Sequence, residues 1–119
     1  MIEEHEANGD IFPDGPLNIL YLDDNEQALE YMKRALYIEN KINLLGVRNW
    51  EQFSAQLNKT NYNCLILDYS AKGVNIFDAV YNLFKSVPRR PIIIVSGVLD
   101  EKLSASFQDF PFLKFIPKY

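Results

Sequence analysis

From Leu17 onward the chain alternates between two kinds of segment, and that alternation limits its fold more than any other feature. Short apolar runs, most of them rich in Ile, Leu and Val, stand at Asn18–Leu22, Ile42–Val47, Cys64–Leu67, Ile92–Val95 and Leu113–Ile116. The first four are nearly continuous and end in polar or small residues, the pattern of strands buried on both faces. Amphipathic stretches lie between them. Ala28, Leu29, Met32, Ala35 and Leu36 form one helical stripe. Trp50, Phe53 and Leu57 form a second, opened by Asn49 with Gln52 in the capping-box position. Ile76, Phe77, Val80, Leu83 and Phe84 form a third after Asn75, and Leu103 and Phe107 anchor a fourth after Asp100. The order is β-α-β-α-β-α-β-α-β, which calls for a parallel sheet with right-handed crossovers and helices on both faces.

Among such α/β folds the flavodoxin-like doubly wound five-stranded sheet, order 2-1-3-4-5, fits best. Lys114 and Pro117 in the last run suit an edge strand, where charge and a missing N–H are tolerated. The 119 residues supply one domain with one core. Residues 1–16 carry no period and are punctuated by Gly9, Pro13, Gly15 and Pro16, so they read as a flexible N-terminal arm before a domain over 17–119. Twelve basic against sixteen acidic side chains give a net charge of −4, which argues against direct nucleic-acid binding. The apolar runs are too short to span a bilayer, and the acidic start MIEEHEANGD is no signal peptide. One Cys (Cys64) and one His (His5) exclude an internal disulfide and the usual zinc sites, and fit a cytoplasmic protein.

In a doubly wound sheet, ligands bind beyond the carboxyl ends of the strands, near the point where strand order reverses. Strand 1 (NILYL) ends in Asp23-Asp24, strand 3 (CLIL) in Asp68, strand 4 (IIIV) in Ser96-Gly97, and strand 5 (LKFIP) in Lys118. Three carboxylates, a hydroxyl and an ammonium thus meet at one rim. Two carboxylates 4 Å apart repel by about 4 kcal/mol at an effective dielectric of 20. A hard divalent cation relieves that repulsion, and Mg²⁺ suits one or two carboxylates with water and phosphate. A carboxylate can attack phosphorus once metal and ammonium offset the charge. Each residue also has a plainer reading: Asp23-Asp24 as a helix cap, Asp68 and Ser96-Gly97 as turns, Lys118 as a solvated end, Phe115 and Trp50 as core. For the aspartates, Ser96 and Lys118, order and spacing lift the rim reading above these, while Phe115 and Trp50 read first as core.

The acidic pair in LYLDDNEQ, Asp68 in CLILDYS, Ser96 in IIIVSG and Lys118 in FIPKY resemble the signature of response-regulator receiver domains of two-component signalling. The resemblance runs from Leu17 to Tyr119. It implies that Asp68 is the phosphoacceptor, that Asp24 is a direct Mg²⁺ ligand with Asp23 acting directly or through water, and that the carbonyl of Ser70 is a further ligand. It also implies that Ser96 and Lys118 contact the phosphoryl group, and that Phe115 is the switch aromatic coupled to Ser96. The implied donor is a histidine on a sensor histidine kinase or a histidine phosphotransfer protein. The chain would then be no enzyme in the ordinary sense, catalysing only its own phosphorylation and dephosphorylation.

Three departures from that family accompany the match. Tyr119 follows Lys118 where the family usually has a cis-proline, and Pro111 and Phe112 replace a usual glycine and alanine. The loop DYSAKGVNIF lacks the usual Met-Pro, with Gly73 offset. The sequence stops after Lys118-Tyr119, so the final helix is absent and an apolar sheet face is expected to meet water. Truncation of a longer protein explains this first and a homodimer second; a partner, or Ile11 and Phe12 folding over, are the other covers. The runner-up function is a degenerate receiver acting as an interaction or dimerisation module independent of phosphorylation. A haloacid-dehalogenase-like hydrolase would want an acid where Ser70 stands, and flavin binding a phosphate loop after strand 1.

Overall fold

A computed structural model of the chain describes residues 16–37, 41–86, 90–97, 105 and 113–117. Five strands, β1 (Leu17–Leu22), β2 (Ile42–Val47), β3 (Cys64–Asp68), β4 (Ile92–Ser96) and β5 (Leu113–Pro117), form one sheet in the order β2-β1-β3-β4-β5. Every pairing is parallel, with Leu20 opposite Leu45 and Leu65, Leu67 opposite Ile94, and Ile94 opposite Phe115. Side chains alternate across the sheet, so each strand feeds two cores. Leu20, Leu22, Leu65, Leu67 and Ile94 are buried on one face; Ile19, Tyr21, Ile66 and Val95 are buried on the other. The unbroken apolar runs are what two covered faces require.

Three helices among the described residues cover the sheet: α1 (Glu26–Ala35), α2 (Trp50–Lys59) and α3 (Ile76–Ser86). Each is started by an asparagine. The Asn25 side chain accepts from Gln27 N at 2.9 Å and Ala28 N at 3.2 Å, Asn49 from Gln52 N at 2.8 Å, and Asn75 from Asp78 N at 3.2 Å. Such caps satisfy amides that a first helical turn leaves open. Gln52 reaches back one residue further than a capping box does, accepting from Arg48 N at 2.9 Å. In α1, Leu29, Met32 and Leu36 pack on the Tyr21 face, while Ala35 is exposed. Gly46 lets that helix approach, because a Cβ there would lie 2.8 Å from Leu29 Cδ2. In α2, Trp50 stacks on buried Phe53 at 5.1 Å between ring centroids.

In α3 the expected stripe shifts. Phe77 is 44% exposed, and Ala79 joins Ile76, Val80 and Leu83 in the core. A helix turning 100° per residue cannot bury 76, 77, 80, 83 and 84 equally, and the small Ala79 allows closer packing on the sheet. Residues 1–15 of the expected arm, Leu103 and Phe107 of the expected fourth helix, and Lys118 lie outside the described residues.

The sheet face expected to be left bare is not bare at its centre. Ile66 and Val95 are 4% exposed and cluster with the fully buried Tyr21, while Ile116 on β5, at 38%, meets solvent. Cys64 is half-buried there, and burial pushes its thiol up to about 11. A protonated, screened thiol is a packing group and not a nucleophile.

Candidate metal centre

The strand order reverses at β1, so the connections leaving β1 and β3 turn to opposite faces and open a notch between their ends. Asp23 follows β1 directly, held by its own N–H on the carbonyl of Val47 at 3.0 Å. Asp68 is the last residue of β3, opposite Val95 of β4. Asp23 and Asp68 are 0% and 1% exposed, and Asp24 is half-buried. One carboxylate oxygen from each of Asp23, Asp24 and Asp68 lies within 4.8 Å of the others.

Backbone and side-chain donors hold this cluster. The Tyr21 hydroxyl donates to Asp23 Oδ2 at 2.5 Å, and Asn25 N donates to Asp23 Oδ1 at 2.9 Å. The Ser70 hydroxyl donates to Asp68 Oδ2 at 3.1 Å. Lys72 N donates to Asp24 Oδ2 at 3.2 Å, joining the β3–α3 loop to the β1 end. Gly73, next in that loop, has φ +75, a left-handed backbone that glycine adopts without strain. A long contact of 3.4 Å runs from Arg48 Nη2 to the carbonyl of Asp24.

These donors orient the oxygens. At 4.8 Å and an effective dielectric of 20, each carboxylate pair repels by roughly 3.5 kcal/mol. The donor set, hard anionic oxygens with two of the three carboxylates buried, fits a hard divalent cation. Metal–oxygen bonds of about 2.0–2.6 Å put two ligand oxygens at most about 4–5 Å apart, and the three oxygens here all lie within 4.8 Å of one another.

The remaining sequence-predicted residues divide. Ser96, the last residue of β4, is 4% exposed and sits one position beyond the register partner of Asp68. Tyr69 N donates to the Val95 carbonyl at 2.8 Å, keeping the β3 exit against β4. Ser96 pairs in register with Pro117, the residue before Lys118. Phe115 is half-buried against the core that contains Ile94, which is its structural role. Three contributors were missed from the sequence. Tyr21 was findable, since residues two apart on a strand share a face. Arg48 was findable as the first polar residue after β2. Lys72 acts through its backbone, which leaves no side-chain signal.

No protein-family model matches the sequence, and no curated protein matches it significantly. Solved structures do match the fold. The phosphorylated cyanobacterial phytochrome response regulator RcpA is similar over 88% of this chain and 82% of its own, with TM-score 0.76 and 18% identity. The Thermotoga maritima response regulator TrrA, solved with Mg²⁺ and beryllofluoride, is similar over 87% of each chain, with TM-score 0.73 and 20% identity. A complex of TrrA with the histidine kinase ThkA matches with TM-score 0.72, over 87% of this chain and 86% of the other, again at 20% identity. The backbone thus has the receiver-domain fold, the fold expected from the strand order and the rim residues.

Proposed function

We propose that this chain is a phospho-accepting receiver domain whose phosphorylation on Asp68 switches its protein contacts. The observation that carries the reading is the meeting of Asp23, Asp24 and Asp68 within 4.8 Å at the notch of a receiver-type sheet. Asp24 and Asp23 would hold Mg²⁺ with Asp68 and the Ser70 carbonyl; when bound, the ion supplies neutralisation of charge on the transferring phosphoryl group. An Asp68 carboxylate oxygen forms the new O–P bond as the N–P bond to the donor histidine breaks, and the histidine nitrogen keeps the electron pair. Ser96 would donate a hydrogen bond to the phosphoryl oxygen, Lys118 would pair with its charge, and Phe115 would follow Ser96. The added charge then shifts a two-state equilibrium of the β4–β5 side. The donor in this reading is a sensor histidine kinase or a histidine phosphotransfer protein, in a cytoplasmic setting. No helix among the described residues is long and apolar enough to cross a membrane.

A second reading has its own support. Asp23, Asp24 and Asp68 each already accept a hydrogen bond from the protein, so the rim is partly settled without an ion. A phosphorylation-independent interaction module would exploit that. Incubation with acetyl phosphate and Mg²⁺, followed by intact mass, separates the two. The first reading expects a gain of one phosphoryl group, lost with EDTA and in Asp68→Asn. A folded wild-type chain that never gains it belongs to the second.

A further inference from the structure

The two edges of the sheet are treated differently. β5 carries Lys114 and Pro117, devices that keep a sheet edge from pairing with other chains. β2, reading INLLGV, has no charged residue and no proline, and among the described residues no strand lies beyond it. The Lys41 carbonyl accepts from Leu17 N at 2.8 Å and the Val47 carbonyl from Asp23 N at 3.0 Å. Odd-numbered positions of β2 therefore turn their backbone toward β1, and the N–H and C=O groups of Ile42, Leu44 and Gly46 turn outward. Leu45 is 40% exposed beside them.

A cleft of about 360 Å³ straddles this edge. Leu36 and Tyr37 line it from the α1 side, Thr60 and Tyr62 from the α2 side, and Leu45 from the strand. An added strand offers main-chain hydrogen bonds along its length and alternate side chains to pockets on either face, so an open edge flanked by a two-sided cleft suits one. The charges around the edge select the partner. Lys33 lines the cleft, and Lys41 and Arg48 bracket the strand, all exposed, in a chain whose net charge is −4. A second copy paired antiparallel through these outward groups, about Leu44, would bring Lys41 of one copy to within one position of Arg48 of the other, gathering like charges at both ends of the seam.

We infer that the free edge of β2 is a docking site for an extended segment of another protein, apolar at alternate positions and acidic at both ends. This site lies apart from the three carboxylates, touching the acidic rim only through Arg48, whose guanidinium also reaches the Asp24 carbonyl, and it does not rest on phosphorylation. The test uses the full chain and a fluorescein-labelled synthetic peptide, EETVIVTEE, with KKTVIVTKK and EETVPVTEE as controls, read by anisotropy and by amide exchange. The expected result is saturable binding of the acidic peptide, weakened about tenfold or more by the lysine flanks and by Lys33→Glu, since several rim charges act together. Binding should slow exchange at Leu44 and Gly46 while leaving Leu45, already bonded to β1, unchanged. Leu45→Glu, on an exposed position that leaves the core intact, should weaken binding to a similar degree. Equal affinity for the two flanks, protection elsewhere on the sheet, no binding at all, or self-association through β2 that excludes the peptide would each overturn the inference.

Discussion

Replacing Tyr21 by Phe removes one oxygen atom and tests how the acidic rim is held. The Tyr21 hydroxyl and the Asp23 carboxylate are fully buried and 2.5 Å apart, the short distance of a hydrogen bond to an ionised acceptor. Hydrogen bonds to charged groups contribute about 1.5–3 kcal/mol, and Phe keeps the ring in the Ile19–Ile66–Val95 cluster, so packing is nearly unchanged. The expected loss is about 2 kcal/mol. With an unfolding entropy of about 2.1 cal/mol/K per residue, a chain of 119 residues should melt roughly 8 °C lower. Thermal and urea denaturation without metal measure this, with the urea slope unchanged because the same surface is exposed. A Tyr21→Phe, Asp23→Asn cycle isolates the pair: its coupling energy should be at least about 1 kcal/mol. A fall in Tm under 2 °C, or a coupling near zero, would refute the argument that this bond positions Asp23.

Two further outcomes follow from the geometry. Asp24→Asn should raise metal-free stability by about 1 kcal/mol, because it relieves repulsion with two carboxylates at a half-buried, partly screened position. Mg²⁺ at a free concentration near ten times Kd should stabilise the wild type by about 1.4 kcal/mol, and this variant should lose that gain, as melts with and without Mg²⁺ would read. Cys64 sets an alkaline limit. Its folded thiol lies at about 11 against an ordinary 9.0, so the unfolded chain loses the proton first. Stability from this group is complete below pH 9 and should fall by about 2 kcal/mol as pH rises to 11, a decline that Cys64→Ala removes.

Much of the site is legible in the sequence, for an identifiable reason. A buried parallel strand must be apolar over its whole length, so its end is announced by the first polar residue; Asp23, Asp68 and Ser96 were found by that rule alone. The Asn49 cap was readable because a helix start needs a side-chain acceptor there. The rule weakens where backbone acts in place of side chain. The Lys72 amide on Asp24 could belong to any residue, and the Gln52 acceptor shifts to Arg48 N because the approach to α2 is set by the turn after β2. Phe77 was misassigned for a related reason: hydrophobicity marks residues able to be buried, while the azimuth of α3 decides which are.

The sequence by itself determined the order of strands and helices, the polar residues at their ends and the chemistry those residues could perform, since periodicity and strand termination are local properties. Only the tertiary structure decided that residues 23, 24 and 68 meet, that a tyrosine hydroxyl pins the first of them, and that β2 and not β5 keeps an open, uncharged edge between cationic flanks. Those facts depend on register and on which strands are neighbours. Both are fixed by long-range backbone pairing and the joint filling of two cores, and no single segment encodes them.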